Sequence, residues 1–214
     1  MKLLLIRHAD PDYARDSLTQ RGWREAGLLA ERLARMDITD FYVSPMGRAK
    51  DTASLTLGRM EREAKECKWL REFSPRIHRP DTDTEKNVWD WLPQDWTVRD
   101  EFYRRDAWYL AKELQEGKVK EEYDWVTQGF DELLKDHGYV REGRCYRVER
   151  SNQDTLAFFC HFGVGCDWRL ADGAVAWLLR GPLLCDYGVH GRTQKGNCQF
   201  SGERIRRYVS SIFI

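Results

Sequence analysis

The chain has 214 residues, enough for one α/β domain with a sizeable core or one domain carrying a large insertion, and short for two ordinary domains, so one domain is expected. Its 35 Lys plus Arg balance 35 Asp plus Glu, so bulk charge favours neither nucleic acid nor an anionic membrane as partner, and any anion site must be local. The opening MKLLLIRH holds only four successive apolar residues, against the roughly 7 to 15 of a secretory leader core, and no later run reaches the ~18 of a membrane span. The chain is therefore expected to be cytoplasmic. Six scattered cysteines form no CxxC pair and no zinc-finger spacing with a His, which argues for reduced, structural thiols and against a metal site.

In chain order, the apolar run at 3–6 is of strand length. Thr19 then opens a stretch in which Trp23, Ala26, Ala30 and Leu33 recur at three- and four-residue steps, the pattern of an amphipathic helix. Residues 41–43 read as a second strand, followed by Ser44 as N-cap and Pro45 as first helical residue of a helix running to about Leu57. A third apolar segment at Trp69 and Leu70 precedes Arg71 and Glu72, and a fourth, 155–160, precedes His161. Strands alternating with helices at this spacing predict a three-layer α/β/α fold around a mostly parallel sheet.

Residues 74–150 interrupt that rhythm and hold Trp89, Trp91, Trp96, Trp108 and Trp125 among many charges. The steps between Val119, Tyr123, Val126, Phe130 and Leu133 predict a packed helix, whereas 79–96, punctuated by Pro and Asp, reads as loop. This middle is a mostly helical, Trp-rich insertion that could cover an active site. The alternative is that its tryptophans form a satellite hydrophobic cluster.

Ligands of open α/β sheets bind at the carboxyl ends of strands, so the residues directly after each apolar run carry the information. They are Arg7 and His8, the stretch from Ser44 to Arg48, Glu72, and His161. Two guanidinium groups, two imidazoles and a carboxylate are thereby delivered to one edge, with Arg48 in the first turn of a helix whose free N–H groups favour an anion. Such a set suits a phosphoryl group.

The blocks LLLIRHAD (3–10), LTQRGWREAGLLAERL (18–33), YVSPMGRAKDTA (42–53), WLREF (69–73) and FFCHFGV (158–164) resemble, in order, the signatures of the histidine phosphatase (phosphoglycerate mutase-like) superfamily. The resemblance spans residues 1 to about 165. It implies that His8 is the nucleophile, that Arg7 and Arg48 clamp the phosphoryl oxygens, that His161 completes the pocket and that Glu72 is the acid/base. It implies a phosphatase acting on a small phosphorylated substrate through phosphohistidine, with no cofactor and no metal. A mutase-like phosphotransferase and a non-catalytic phospholigand-binding protein are the alternatives. Two departures stand out: Ala9 where the family has Gly, which adds a methyl where the backbone could need unusual torsions, and Phe162 between His161 and Gly163. The loop after Asp10 lacks the polar pattern associated with sugar-phosphate mutases, so phosphatase outranks mutase.

From about 166 the resemblance stops, and 166–214 is turn-rich, basic and weakly periodic. Back-translated and read one base later with third bases free, this tail permits strand-like strings such as SVTTEF and IASFQV that resemble the family's C-terminal strands. A frameshifted tail is the favoured reading, and a genuinely divergent tail, with a short helix at 174–179, is the other. The frameshift predicts that sheet strands beside the site are missing. The expected organisation is a domain at 1–165 with an insertion at about 74–150, followed by this atypical tail.

Overall fold

A computed structural model describes residues 1–79, 82–88, 98–104, 107–143, 145–164, 185–188 and 197–198. The strands are β1 (Lys2–Arg7), β2 (Pro11–Asp12), β3 (Ser17–Leu18), β4 (Asp40–Val43), β5 (Lys65–Glu66), β6 (Arg76–His78), β7 (Glu85–Asn87), β8 (Tyr139–Glu142), β9 (Cys145–Val148), β10 (Thr155–Cys160), β11 (Cys185–Gly188) and β12 (Asn197–Cys198). The α-helices are α1 (Gln20–Leu33), α2 (Gly47–Met60), α3 (Lys112–Glu116) and α4 (Val119–Asp136). The chain divides into two compact units, one of residues 1–71, 131–161 and 182–214, the other of 72–130 and 162–181. Among the described residues no helix is long and apolar enough to cross a membrane.

The first unit is organised by the sheet β11-β1-β10-β4-β5, in which β1, β10, β4 and β5 run parallel and β11 pairs antiparallel with β1. All six residues of β10, TLAFFC, are buried, as a strand covered on both faces requires, and after Thr155 they are apolar without a break. Alternation then sorts the side chains. Leu4, Ile6, Ala157, Phe159, Phe41 and Val43 fill one face with Leu33 of α1 and Ala53 of α2. Leu3, Leu5, Leu156, Phe158 and Tyr42 are buried with the opposite parity. On that side Tyr42 stacks on Phe158 with centroids 5.1 Å apart, and its hydroxyl lies 2.8 Å from Nε2 of His137, the residue after α4. His137 Nδ1 is in turn 3.2 Å from the Asp154 carboxylate. The sheet is therefore sandwiched, and the α/β fold is as expected.

Several local readings change. Trp69 and Leu70 form a 3-10 turn (Lys68–Leu70) and not a strand, because the strand is the short β5 just before it. Ser44 does not cap α2, which begins two residues beyond Pro45 with Met46 at the N-cap, and it ends at Met60. Trp23 is 38 % exposed, so α1 buries Gly22, Ala26, Ala30 and Leu33, and the small residues let it approach the sheet where an indole would hold it off. Thr19 does cap α1, its hydroxyl accepting from Gly22 N–H at 3.1 Å. The 79–96 segment is not all loop, since β7 pairs antiparallel with β6, while 80–81 and 89–97 lie outside the described residues. The helix predicted from Val119 onward is α4, with Val119, Val126, Phe130, Leu133 and Leu134 buried. In the second unit Trp108 is buried against the Tyr123 ring at 5.2 Å, the packing role that was the alternative for this tryptophan. The short helix at 174–179 lies outside the described residues. Of the atypical tail, β11 pairs antiparallel with β1 and β12 with β9.

Two glycines set how closely the loop between β1 and α1 approaches the helix starts. A Cβ on Gly22 would stand 2.2 Å from the Asp10 carbonyl oxygen, and one on Gly47 would stand 2.0 Å from that of Asp16. In both cases backbone would have to move. Helix propensity alone favours Gly→Ala in α2 by up to about 1 kcal/mol. Gly58, with open space around its missing Cβ, should follow propensity, so Gly58→Ala is expected to stabilise by a few tenths to about 1 kcal/mol. Gly47→Ala should instead destabilise by about 1 to 3 kcal/mol, as overpacking does. Urea unfolding of the two variants checks this, and equal, positive shifts would show that the loop yields freely.

Candidate active site

Three parallel strands end at one place. β1 delivers Arg7 and His8, β4 delivers Ser44, and β10 delivers His161. The last two carbonyls of β10 hold the neighbours in register, with His8 N–H donating to Cys160 O at 3.0 Å and Ser44 N–H to Phe159 O at 2.9 Å. The imidazoles of His8 and His161 consequently face each other with centroids 5.2 Å apart and planes inclined at 56°. Both are buried, at 5 % and 1 % exposure.

Arg48, in the first turn of α2, is also buried, at 6 %. Arg7 is exposed at the end of β1 and still close enough for its charge to act on both imidazoles. Burial first, then the positive charges of Arg48 and Arg7, depress His8 to about 4 despite the opposing hydrogen bond to Ala9. Burial, Arg48 and His8 lower His161 further, to about 2. Neither ring is protonated at neutral pH.

The hydrogen bonds assign the His8 tautomer. Nδ1 lies 2.8 Å from the Ala9 carbonyl oxygen. A carbonyl only accepts, so Nδ1 carries the proton and Nε2 holds the free lone pair. His161 Nε2 lies 2.7 Å from Ser44 Oγ, and its Nδ1 is buried with no partner among the described residues. Arg48 Nε is buried and equally unmatched. Buried polar atoms are ordinarily hydrogen-bonded, so both of these are available to a polar ligand or to water.

Of the residues singled out from the sequence, His8, His161 and Arg48 come together, with Arg7 beside them. Glu72 belongs to the second unit, where it accepts from the Gly163 N–H at 2.8 Å. Ala9 is not among the residues with positive φ, so its methyl meets no backbone strain, and its N–H donates to Thr52 Oγ1 at 3.0 Å. The Thr52 hydroxyl donates in turn to the Arg48 carbonyl at 2.7 Å. Ser44, Thr52 and Asp16 were missed as site residues. Ser44 stood in the strand-end stretch from Ser44 to Arg48 but was given only a helix-capping role, Thr52 lies one turn after Arg48 with nothing to mark it, and Asp16 sits in a loop with no periodicity.

The sequence profile of the histidine phosphatase superfamily (branch 1) matches residues 3–137. The chain belongs to the histidine phosphatase superfamily. Among solved structures this histidine phosphatase relative is similar to YhfR of Bacillus stearothermophilus, at 22 % identity and a TM-score of 0.53, over 92 % of this chain and 94 % of that one. It also aligns with a mycobacterial glucosyl-3-phosphoglycerate phosphatase at 16 % identity and a TM-score of 0.46, covering 80 % of this chain and 82 % of that one. An Entamoeba histolytica phosphoserine phosphatase aligns at 18 % identity and a TM-score of 0.48, over 79 % and 78 %. No curated protein gives a significant match.

Keeping two histidines neutral inside this superfamily fold has a consequence for stability. Both have folded values below the 6.5 of the free side chain, so below pH 6.5 the unfolded chain binds protons that the folded chain refuses. Stability is full above pH 6.5 and is lost as the pH falls toward the folded His8 value near 4. Replacing His8 and His161 together by Gln should flatten this decline by on the order of 4 kcal/mol between pH 6.5 and 4.5, about half from each ring. Urea unfolding across that range is the check, and parallel curves for the two proteins would contradict it.

Proposed function

We propose that this protein is a metal-independent phosphatase that hydrolyses a phosphate monoester of a small molecule through a phosphohistidine on His8. The observation that carries the reading is the His8 ring itself. It is buried beside guanidinium charge, neutral above about pH 4, and committed through Nδ1 so that Nε2 is the free base.

In this reading Arg7 and Arg48 hold the phosphoryl oxygens, each charge-assisted bond contributing about 1.5 to 3 kcal/mol. His161 donates from Nδ1 while the Ser44 hydroxyl donates to its Nε2, the tautomer that an anion selects. His8 Nε2 attacks phosphorus in line as the bond to the leaving oxygen breaks, and Glu72 gives that oxygen its proton. Glu72 then takes a proton from water, the hydroxide attacks phosphorus, the N–P bond breaks, and orthophosphate leaves with His8 neutral again. Positioning and fixed charge are most of what phosphoryl transfer asks of a protein, and a guanidinium offers both in one planar fork.

The test is phosphate release from p-nitrophenyl phosphate and a metabolite panel, with acid-labile, base-stable phosphoenzyme trapped by rapid quenching. His8→Ala should abolish turnover and trapping together, and turnover that survives it removes the covalent route. Arg48→Lys, which keeps the charge and loses the planar fork, should lower kcat/KM by about a hundredfold or more. For the free enzyme kcat/KM should hold constant down to about pH 5 and fall as His8 protonates near 4; an acid limb centred at 6.5 would mean that the nucleophile is not shielded.

A further inference from the structure

The loop that carries the chain from β1 into α1 does more than connect. Its β2–β3 hairpin places Asp16 in a backbone conformation with φ of 48°, which Asp tolerates better than most side chains. From there the carboxylate is divided between two donors. Oδ1 accepts from Arg48 Nη1 at 2.6 Å, and Oδ2 accepts from the Gly47 N–H at the start of α2 at 2.7 Å. The side chain of Asp16 is 44 % exposed and that of Arg48 only 7 %, so the carboxylate reaches in from the surface to a guanidinium that is almost wholly enclosed. Nη2 of the same guanidinium lies 3.4 Å from Met46 Sδ, and Nε has no partner among the described residues. The Tyr13 ring, on the same loop, lies 5.4 Å from the guanidinium carbon.

We infer that Asp16 is the positioning residue for Arg48: it fixes the guanidinium through Nη1 and the start of α2, and leaves the unmatched Nε donor for a phosphoryl oxygen of the substrate. A lone buried guanidinium on a flexible stem has several rotamers. One strong bond at Nη1 selects among them, and the bond to Gly47 ties that choice to the helix on which Arg48 stands. The loop is itself anchored. Thr19 Oγ1 donates to Asp10 Oδ2 at 2.6 Å, Asp10 N–H to Glu25 at 3.0 Å, and Ser17 Oγ to Asp51 at 2.5 Å. The close approach at Gly47 brings the loop into place, and a side chain there would displace it. Burial raises the Asp16 carboxyl, but the bonds from Gly47 and Arg48 outweigh it and hold the group below the usual carboxylate range, so the pair stays ionised.

The inference rests on the reading of Arg48 as a phosphoryl clamp, and two measurements separate the failure of one from that of the other. In the first, kcat/KM for p-nitrophenyl phosphate is compared in wild type, Asp16→Ala, Arg48→Ala and the double variant. Asp16→Ala should lower it about ten- to a hundredfold, the loss typical of a misplaced catalytic group, with Asp16→Asn between it and wild type. On the Arg48→Ala background Asp16→Ala should cost nothing further, because there is no guanidinium left to orient. Wild-type kcat/KM in Asp16→Ala, or single losses that multiply in the double variant, would overturn the inference. The second measurement needs no turnover. The Arg48 Nε–H resonance in ¹⁵N-edited spectra should be slow to exchange in wild type and fast or shifted in both Asp16→Ala and Asp16→Asn. An unchanged resonance in the folded variants overturns the positioning role even if the protein proves to be no phosphatase, whereas a lost resonance without any turnover in wild type sinks the phosphatase reading alone.

Discussion

A guanidinium that is 6 % exposed puts a positive charge inside the first unit, and the surroundings of Arg48 are arranged around that fact. An enclosed charge is tolerated only with good partners. Asp16 supplies an opposite charge from the surface, and the Thr52 hydroxyl binds the Arg48 carbonyl. Burial first, and the charge of Arg48 with it, keeps the His8 and His161 rings neutral. In the proposed reaction that neutrality leaves His8 Nε2 its lone pair, and burial contributes more to it than the charge of Arg48 does.

The scaffold makes such an arrangement affordable because the precise parts stand on rigid elements. His8, Ser44 and His161 each follow a strand directly, and the carbonyls of β10 fix the first two through backbone bonds. β10 is buried on both faces and flanked by parallel partners, so its end has little freedom. The loop between β1 and α1 brings an exposed aromatic ring, Tyr13, and a partly exposed carboxylate, Asp16, up to Arg48. Within the first unit the strand ends thus carry the histidines and Ser44, and the loop carries the carboxylate that meets Arg48.

Much of the fold was legible because burial on both faces leaves a plain record. The runs at 3–6, 41–43 and 156–160 are apolar without interruption, and all three lie in strands of the parallel sheet. The Thr19 cap was equally plain, since a hydroxyl before a periodic stretch has few other uses. Trp69 and Leu70 misled because two apolar residues do not distinguish a strand from a 3-10 turn, and β5 is made of Lys65 and Glu66, which carry no apolar signal at all. Ser44 followed by Pro45 carried a helix-start pattern, yet its hydroxyl binds His161, a contact 117 residues away along the chain that no local rule can see. Asp16 was invisible for the same reason. His8, Arg48 and His161 could be named from the sequence because they stand at strand ends and inside recognisable blocks, whereas the residues that orient them are defined only by three-dimensional neighbours.

The neutral state of the two imidazoles has a thermodynamic corollary. A bound dianion would make the protonated form of either ring more favourable, so in mildly acidic solution ligation would draw hydrogen ions from the buffer. Its apparent heat would then depend on the ionisation enthalpy of whatever buffer is present. The occupied site would also titrate at higher pH than the empty one, so saturation with substrate would make the nucleophile more vulnerable to acid than it is in the free protein.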